Sequence, residues 1–188
     1  MSPAEPAKSW ASTPLGQILS GPDTHTKTPL LRLSFLTWMQ TVGAAVGYAE
    51  RRPNVGAGHI GLVGVSLGAY LALSVAAQDP RVGAVVECFG GFPPFFAEAL
   101  DRMPPVLILH GEDDRIVPVR EAHNLERLLR DRNRPYEIQI YPGQGHRLLE
   151  AESRDALDRA AAFLDRHLKR SAERSARVSG PRRNRRPL

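Results

Sequence analysis

A single cysteine, Cys88, leaves no partner for an internal disulfide, so covalent cross-links are excluded from whatever holds this 188-residue chain together. It stands in the apolar run Val85-Val86-Glu87-Cys88-Phe89, where a small buried hydrophobe is the expected role. Long hydrophobic runs are missing too. No stretch approaches the roughly 18 to 20 apolar residues that span a bilayer. Met1–Gly21 carries Pro3, Pro6, Pro14 and a lone Lys8 but no continuous apolar segment of a secretory signal, so a soluble, cytoplasmic chain is expected. No internal repeat is visible, and no pair of histidines with a carboxylate has metal-ligand spacing, so no metal site is expected.

Excess charge is missing from most of the chain. The formal net charge is +5, yet residues 169–188 hold eight basic residues against Glu173, a local +7 that leaves −2 for everything before. The remainder is near neutral and implies no acidic macromolecular partner. In the tail, Lys169, Arg170, Arg174, Arg177, Arg182, Arg183, Arg185 and Arg186 are mixed with serine, glycine and proline. With almost nothing apolar to bury, the segment cannot offset its ordering entropy, and disorder is expected. No aromatic residue stands among these arginines to stack on bases, so nucleic-acid binding is not the expected role.

What is present fits one globular domain: 42% hydrophobic and 24% charged residues, in a chain long enough for one well-buried core. Residues 1–30, rich in Pro, Ser, Thr and Gly, read as a poorly ordered leader, and 31–168 as the folded domain. Phe35, Trp38, Met39, Val42, Ala45, Val46 and Ala49 recur at helical spacing and predict a helix that stops before Pro53. Then come strand His59–Val63, helix Leu67–Gln78, strands Val82–Phe89 and Val106–His110, helix Arg120–Arg130 and strand Tyr136–Tyr141. A helix from about Glu150 to Leu168 follows, with Leu157, Ala160, Ala161, Leu164 and Leu168 on one face. Apolar strands alternating with amphipathic helices predict an α/β fold with a mostly parallel sheet and helices on both faces.

The first strand runs into Gly64-Val65-Ser66-Leu67-Gly68, which opens an apolar helix. G-x-S-x-G between strand and helix is the context in which this pattern presents a nucleophilic serine. The tight turn strains the serine backbone, and glycines at 64 and 68 are expected to relieve crowding at both flanks. Ser66 then lies at a helix start, where free N–H groups and the dipole favour developing negative charge, with the Leu67 N–H as a first oxyanion donor. A serine hydroxyl needs a base, and the base a third group to hold it. Two strand ends supply them: His110-Gly111-Glu112-Asp113-Asp114-Arg115-Ile116-Val117-Pro118 and Pro142-Gly143-Gln144-Gly145-His146. Strand C-terminal ends are where sites gather in parallel sheets. His146 is the candidate base and His110 a structural or pocket-lining residue. His25, His123 and His167 fall in the leader or on helices and read as solvated. Phe92 and Phe95 could form an apolar wall of a substrate pocket, or simply pack.

The stretch His59–Gly68, the H-G-x-x-D-x-x-V-P stretch and the Y-P-G-x-G-H stretch together resemble the dienelactone hydrolase family over about residues 35 to 168. The resemblance places the family acid at Asp114, three residues before Val117, and leaves Asp113 as a solvated loop carboxylate. It implies a Ser66–His146–Asp114 triad that cleaves a carboxylic ester or lactone through an acyl-enzyme, with no cofactor. Members that cleave dienelactone itself carry cysteine where this chain has Ser66, so that specificity does not carry over. Family members also have about four strands before the nucleophile strand, and a loop among them gives the second oxyanion N–H. Almost none of that precedes His59, so the fold is expected to be N-terminally shortened, with an uncovered sheet edge. The last two stretches also resemble prolyl-oligopeptidase-type catalytic domains, which makes acyl-peptide cleavage an alternative; an inactive relic is another.

Overall fold

The computed structural model describes residues 28–53, 55 and 59–178, with side chains described between 33 and 169 except at Phe95. The first helix, α1 (Thr28–Glu50), begins earlier than the apolar spacing predicts. Pro29 sits in its first turn, where a missing N–H has no helical partner to lose. The helix ends ahead of Pro53, whose ring disfavours helical geometry at the residue before it.

Four strands follow: β1 (Ile60–Val65), β2 (Val82–Cys88), β3 (Val106–Gly111) and β4 (Tyr136–Tyr141). They pair in the order β1-β2-β3-β4, all parallel. Because each new strand is laid on the same side of the last, right-handed crossovers put every connection on one face of the sheet. On that face lie α2 (Leu67–Ala76), a 3-10 segment (Pro94–Arg102) and α3 (Arg120–Asp131). Leu73, Leu100, Leu125 and Leu129 from these connections close over Ile60, Val85, Val106 and Ile108 in the main core. Strand residues of the other parity, Ala84, Val86, Leu107 and Leu109, turn to the opposite face and pack on Phe163 of α4 (Glu150–Val178). This two-residue alternation is the strand period. Each large side chain so buried contributes about 1.5–3 kcal/mol. Among the described residues no helix is long and apolar enough to cross a membrane.

The tail expectation is corrected in part. Residues 169–178, expected to be disordered, continue α4 to Val178. Extending an existing helix costs no new nucleus, alanine, arginine and lysine are good helix formers, and cations suit a helix C-terminus. The remaining tail, 179–188, and leader residues 1–27 lie outside the described residues. Among the described residues nothing pairs with the outer edge of β1, where Val63 and Val65 are 59% and 57% exposed. The 3-10 segment was not legible in the sequence.

Candidate active site

Between the end of β1 at Val65 and the start of α2 at Leu67 there is one residue, Ser66, at φ 55° and ψ −122°. A non-glycine residue so far from the favoured regions carries roughly 1–3 kcal/mol of strain and persists only where its surroundings fix it. They do: the Ser66 N–H donates to the Cys88 carbonyl at 2.8 Å, and the Ser66 carbonyl accepts the Ala69 N–H at 2.9 Å. A Cβ on Gly64 would lie 2.6 Å from the Ala69 Cα and closer still to the Gly68 carbonyl oxygen, so the turn admits no side chain there. The expectation for Gly68 is corrected, since a Cβ at that position faces open space. Leu67 heads α2, and its N–H belongs to the first turn, whose amides have no helical acceptor.

After β3, the chain turns so that Asp114 is buried while Asp113 is exposed. Asp114 Oδ1 accepts the N–H groups of Ile116 and Val117 at 2.8 and 2.9 Å. Its Oδ2 accepts from His146 Nδ1 at 2.7 Å. Burial acts to raise the Asp114 pKa, but hydrogen bonds from His110, His146 and the two amides outweigh it and hold the carboxyl below its ordinary value. An ionised carboxylate only accepts, so the His146 proton sits on Nδ1 and Nε2 is left as an acceptor. Ser66 Oγ, 2.9 Å from that Nε2, donates to it. The structure thus brings Ser66, His146 and Asp114 into one hydrogen-bonded chain. Its geometry can move the serine proton onto an imidazole whose opposite edge is held by a negative charge.

The loops that bear Asp114 and His146 are tied to each other directly. The Asp113 N–H donates to the Gln144 carbonyl at 2.8 Å, and the Glu112 N–H to the Tyr141 carbonyl at 3.0 Å. They approach so closely at Gly111 that a Cβ there would lie 2.8 Å from the Gln144 carbonyl carbon. Gly111→Ala is therefore expected to push the His146 loop off Asp114. A displacement near 1 Å typically costs about 10²-fold in the rate of a reaction that needs the two groups aligned, and loss of the His146 Nδ1–H resonance hydrogen-bonded to Asp114, beside a melting curve that shows the variant still folded, is the measurement that checks it.

Three residues around the site were not singled out by sequence reasoning. Phe89, at φ 58°, follows β2 directly, with its ring centroid 5.6 Å from that of His146 and 5.9 Å from that of His110. Its signal was its position at a strand C-terminal end beside the strand that leads into Ser66. Glu87 is fully buried on β2, and its signal was a lone charge in an apolar strand. Tyr70, on the first turn of α2, is 1% exposed and packs with Phe35 of α1 and Val117. His110 is fully buried and its Nε2–H donates to the Val117 carbonyl at 2.9 Å.

Of the remaining candidates, Phe92 packs in the main core at 6% exposure, and the Phe95 side chain lies outside the described residues. His123 is exposed, whereas His167, expected to be solvated, is half-buried with its ring 4.5 Å from Phe163 because it stands on the covered side of α4. His25 lies outside the described residues. No group of three or more His, Cys, Asp or Glu side chains converges as metal ligands among the described residues.

A parallel sheet with a strained serine at the end of one strand, and an acid and a histidine on the loops after two others, defines an α/β hydrolase. Esterase PE8 is similar in structure, with a TM-score of 0.62 at 28% identity over 77% of this chain and 67% of that one. The chain belongs to the dienelactone hydrolase family, whose profile matches residues 25–173. Human acylamino-acid-releasing enzyme is 26% identical over 69% of this chain and 23% of its own length. Esterase YjfP of Escherichia coli K12 is 27% identical over 56% of this chain and 55% of its own length. The chain thus spans roughly a quarter to a half of these curated relatives.

Proposed function

We propose that this protein is a serine esterase or lactonase, and that Ser66, His146 and Asp114 are its nucleophile, general base and orienting acid. The observation that carries the reading is the continuous hydrogen-bonded chain from Ser66 Oγ through both His146 nitrogens to a buried, ionised Asp114. In the reaction, Ser66 Oγ attacks the ester carbonyl as its proton passes to His146 Nε2. The new oxyanion lies by the Leu67 N–H at the head of α2, in a favourable dipole. Collapse expels the alcohol, which takes the proton from His146 and leaves an acyl-Ser66. Water, deprotonated by the same Nε2, then releases the acid.

A second reading, cleavage of acylated peptides, draws on the similarity to acylamino-acid-releasing enzyme. Turnover of 4-nitrophenyl acetate and butyrate against N-acetyl-alanine 4-nitroanilide separates the two. Esters are expected to be hydrolysed at least about 10²-fold faster in kcat/KM, a difference of about 2.7 kcal/mol in barrier. Preference for the anilide would favour the peptidase reading. A folded protein that cleaves neither, and takes no fluorophosphonate label, would mean an inactive relic.

A further inference from the structure

The bend after β2 ties the serine turn to the histidine through contacts that the proposed reaction does not itself use. The peptide unit between Cys88 and Phe89 is held on both edges. Its carbonyl accepts the Ser66 N–H at 2.8 Å, and its N–H donates to the Leu109 carbonyl of β3 at 2.9 Å. Phe89 then stands at φ 58°, a left-handed conformation that a residue with a side chain keeps only where its surroundings fix it. The next residue closes the bend. The Gly90 N–H donates to Oε2 of the fully buried Glu87 at 2.9 Å. A Cβ on Gly90 would strike the Ala69 Cβ of α2 and lie 3.2 Å from the Ser66 carbonyl oxygen, so the backbone here is wedged against the serine turn.

We propose that Phe89 is a positioning residue for His146, its ring holding the imidazole at the tilt that serves Ser66 and Asp114 together and keeping water from it. The proposal rests on the hydrolase reading for its effect on turnover, but not for the hold on the imidazole.

Two hydrogen bonds grip His146 at opposite ends, Nδ1–H to Asp114 Oδ2 at 2.7 Å and Nε2 from Ser66 Oγ at 2.9 Å. They fix the ends of the ring but leave it free to swing about the line that joins them. A third contact is needed to stop the swing. The Phe89 ring supplies it, with its centroid 5.6 Å from that of the imidazole and the planes 56° apart, within the range of favourable aromatic pairs. That ring cannot easily recede, because its backbone is pinned as described and its other neighbour is His110, 5.9 Å away edge to face. His110 is itself immobile: it is fully buried and hydrogen-bonded to the Val117 carbonyl at 2.9 Å. Phe89 is 8% exposed and the His146 side chain 21% exposed, so the phenyl ring covers a side of the imidazole that would otherwise meet solvent. A held ring matters for turnover because His146 must receive a proton from Ser66 and return it to the leaving group without reorienting.

The test is the exchange with water of the His146 Nδ1–H proton, followed by NMR in the full chain and assigned by its disappearance in His146→Ala. Phe89→Gly removes the ring and relieves the left-handed strain, which offsets part of the lost burial. Exchange is expected to become about tenfold faster, as local opening replaces an aromatic contact. Phe89→Leu keeps an apolar side chain in place without a flat ring, and about threefold faster exchange is expected there, in a chain whose melting curve stays close to the parent. In turnover of 4-nitrophenyl acetate, Phe89→Gly should lower kcat about tenfold or more and leave KM within about twofold. Exchange unchanged in a folded variant would overturn the positioning role. So would a raised KM with kcat intact, which would make Phe89 a substrate contact instead. Faster exchange in a chain without turnover would sink the hydrolase reading and leave the hold of Phe89 on His146 in place.

Discussion

Ser66→Ala and His146→Ala are each expected to lower kcat for 4-nitrophenyl acetate by about five to six orders of magnitude, and the double variant should be no worse than either alone. The non-additivity follows from the chain of contacts: without the imidazole 2.9 Å away, Ser66 keeps its proton, and without the hydroxyl the imidazole has nothing to activate. What survives is the α2 amide end acting on carbonyl charge, which is why some acceleration over water should persist. Labelling with a fluorophosphonate should vanish in both variants while their melting curves stay close to the parent, since Ser66 Oγ makes no other hydrogen bond among the described contacts. Full labelling of His146→Ala would show that Ser66 is activated by some other group and would discard the proposed mechanism.

Replacing Asp114 by asparagine should cost about 10⁴-fold in kcat, whereas Asp113→Asn should change it less than about twofold. The two neighbours differ only in environment. Asp114 is buried, takes two amide N–H groups on one oxygen and His146 Nδ1–H on the other. An amide nitrogen turned towards His146 would meet an N–H, and the imidazole would have to move its proton to Nε2, where Ser66 needs an acceptor. Asp113 contributes a backbone N–H to Gln144 and keeps its carboxylate exposed, so its charge is dispensable. The Asp114 shift also carries a sign. Its folded pKa is lowered from 3.8, so its contribution to stability is present above that value and disappears as pH falls through the folded value. A thermal midpoint that falls in acid for the parent chain, and less steeply for Asp114→Asn, would be the matching stability result.

The two strand ends that bear Asp114 and His146 were legible because each follows a short β-branched or aromatic run and opens on a turn residue, Gly111 in one and Pro142-Gly143 in the other, and because parallel sheets gather sites there. The strained serine turn was legible from glycine, serine and glycine at the strand-to-helix boundary, although the steric need fell on Gly64 alone. The 3-10 segment Pro94–Arg102 was not legible, because its residues have no period of their own and adopt a helical path only where Leu100 drops into the core. Nor was the bend after β2 at Phe89, since positive φ at a phenylalanine is imposed by the strand beside it, whose Leu109 carbonyl accepts the Phe89 N–H at 2.9 Å.

The sequence by itself determined the α/β alternation, the parallel sheet and the serine turn, because these depend on local periodicity and on glycine and serine within a few residues of each other. Only the tertiary structure decided which of two adjacent aspartates meets His146, which nitrogen of His146 faces Ser66, and that Glu87 and His110 are both fully buried on one face of the sheet. Those outcomes depend on strand register: β3 set against β4 brings together Asp114 and His146, 32 positions apart, which no local pattern links.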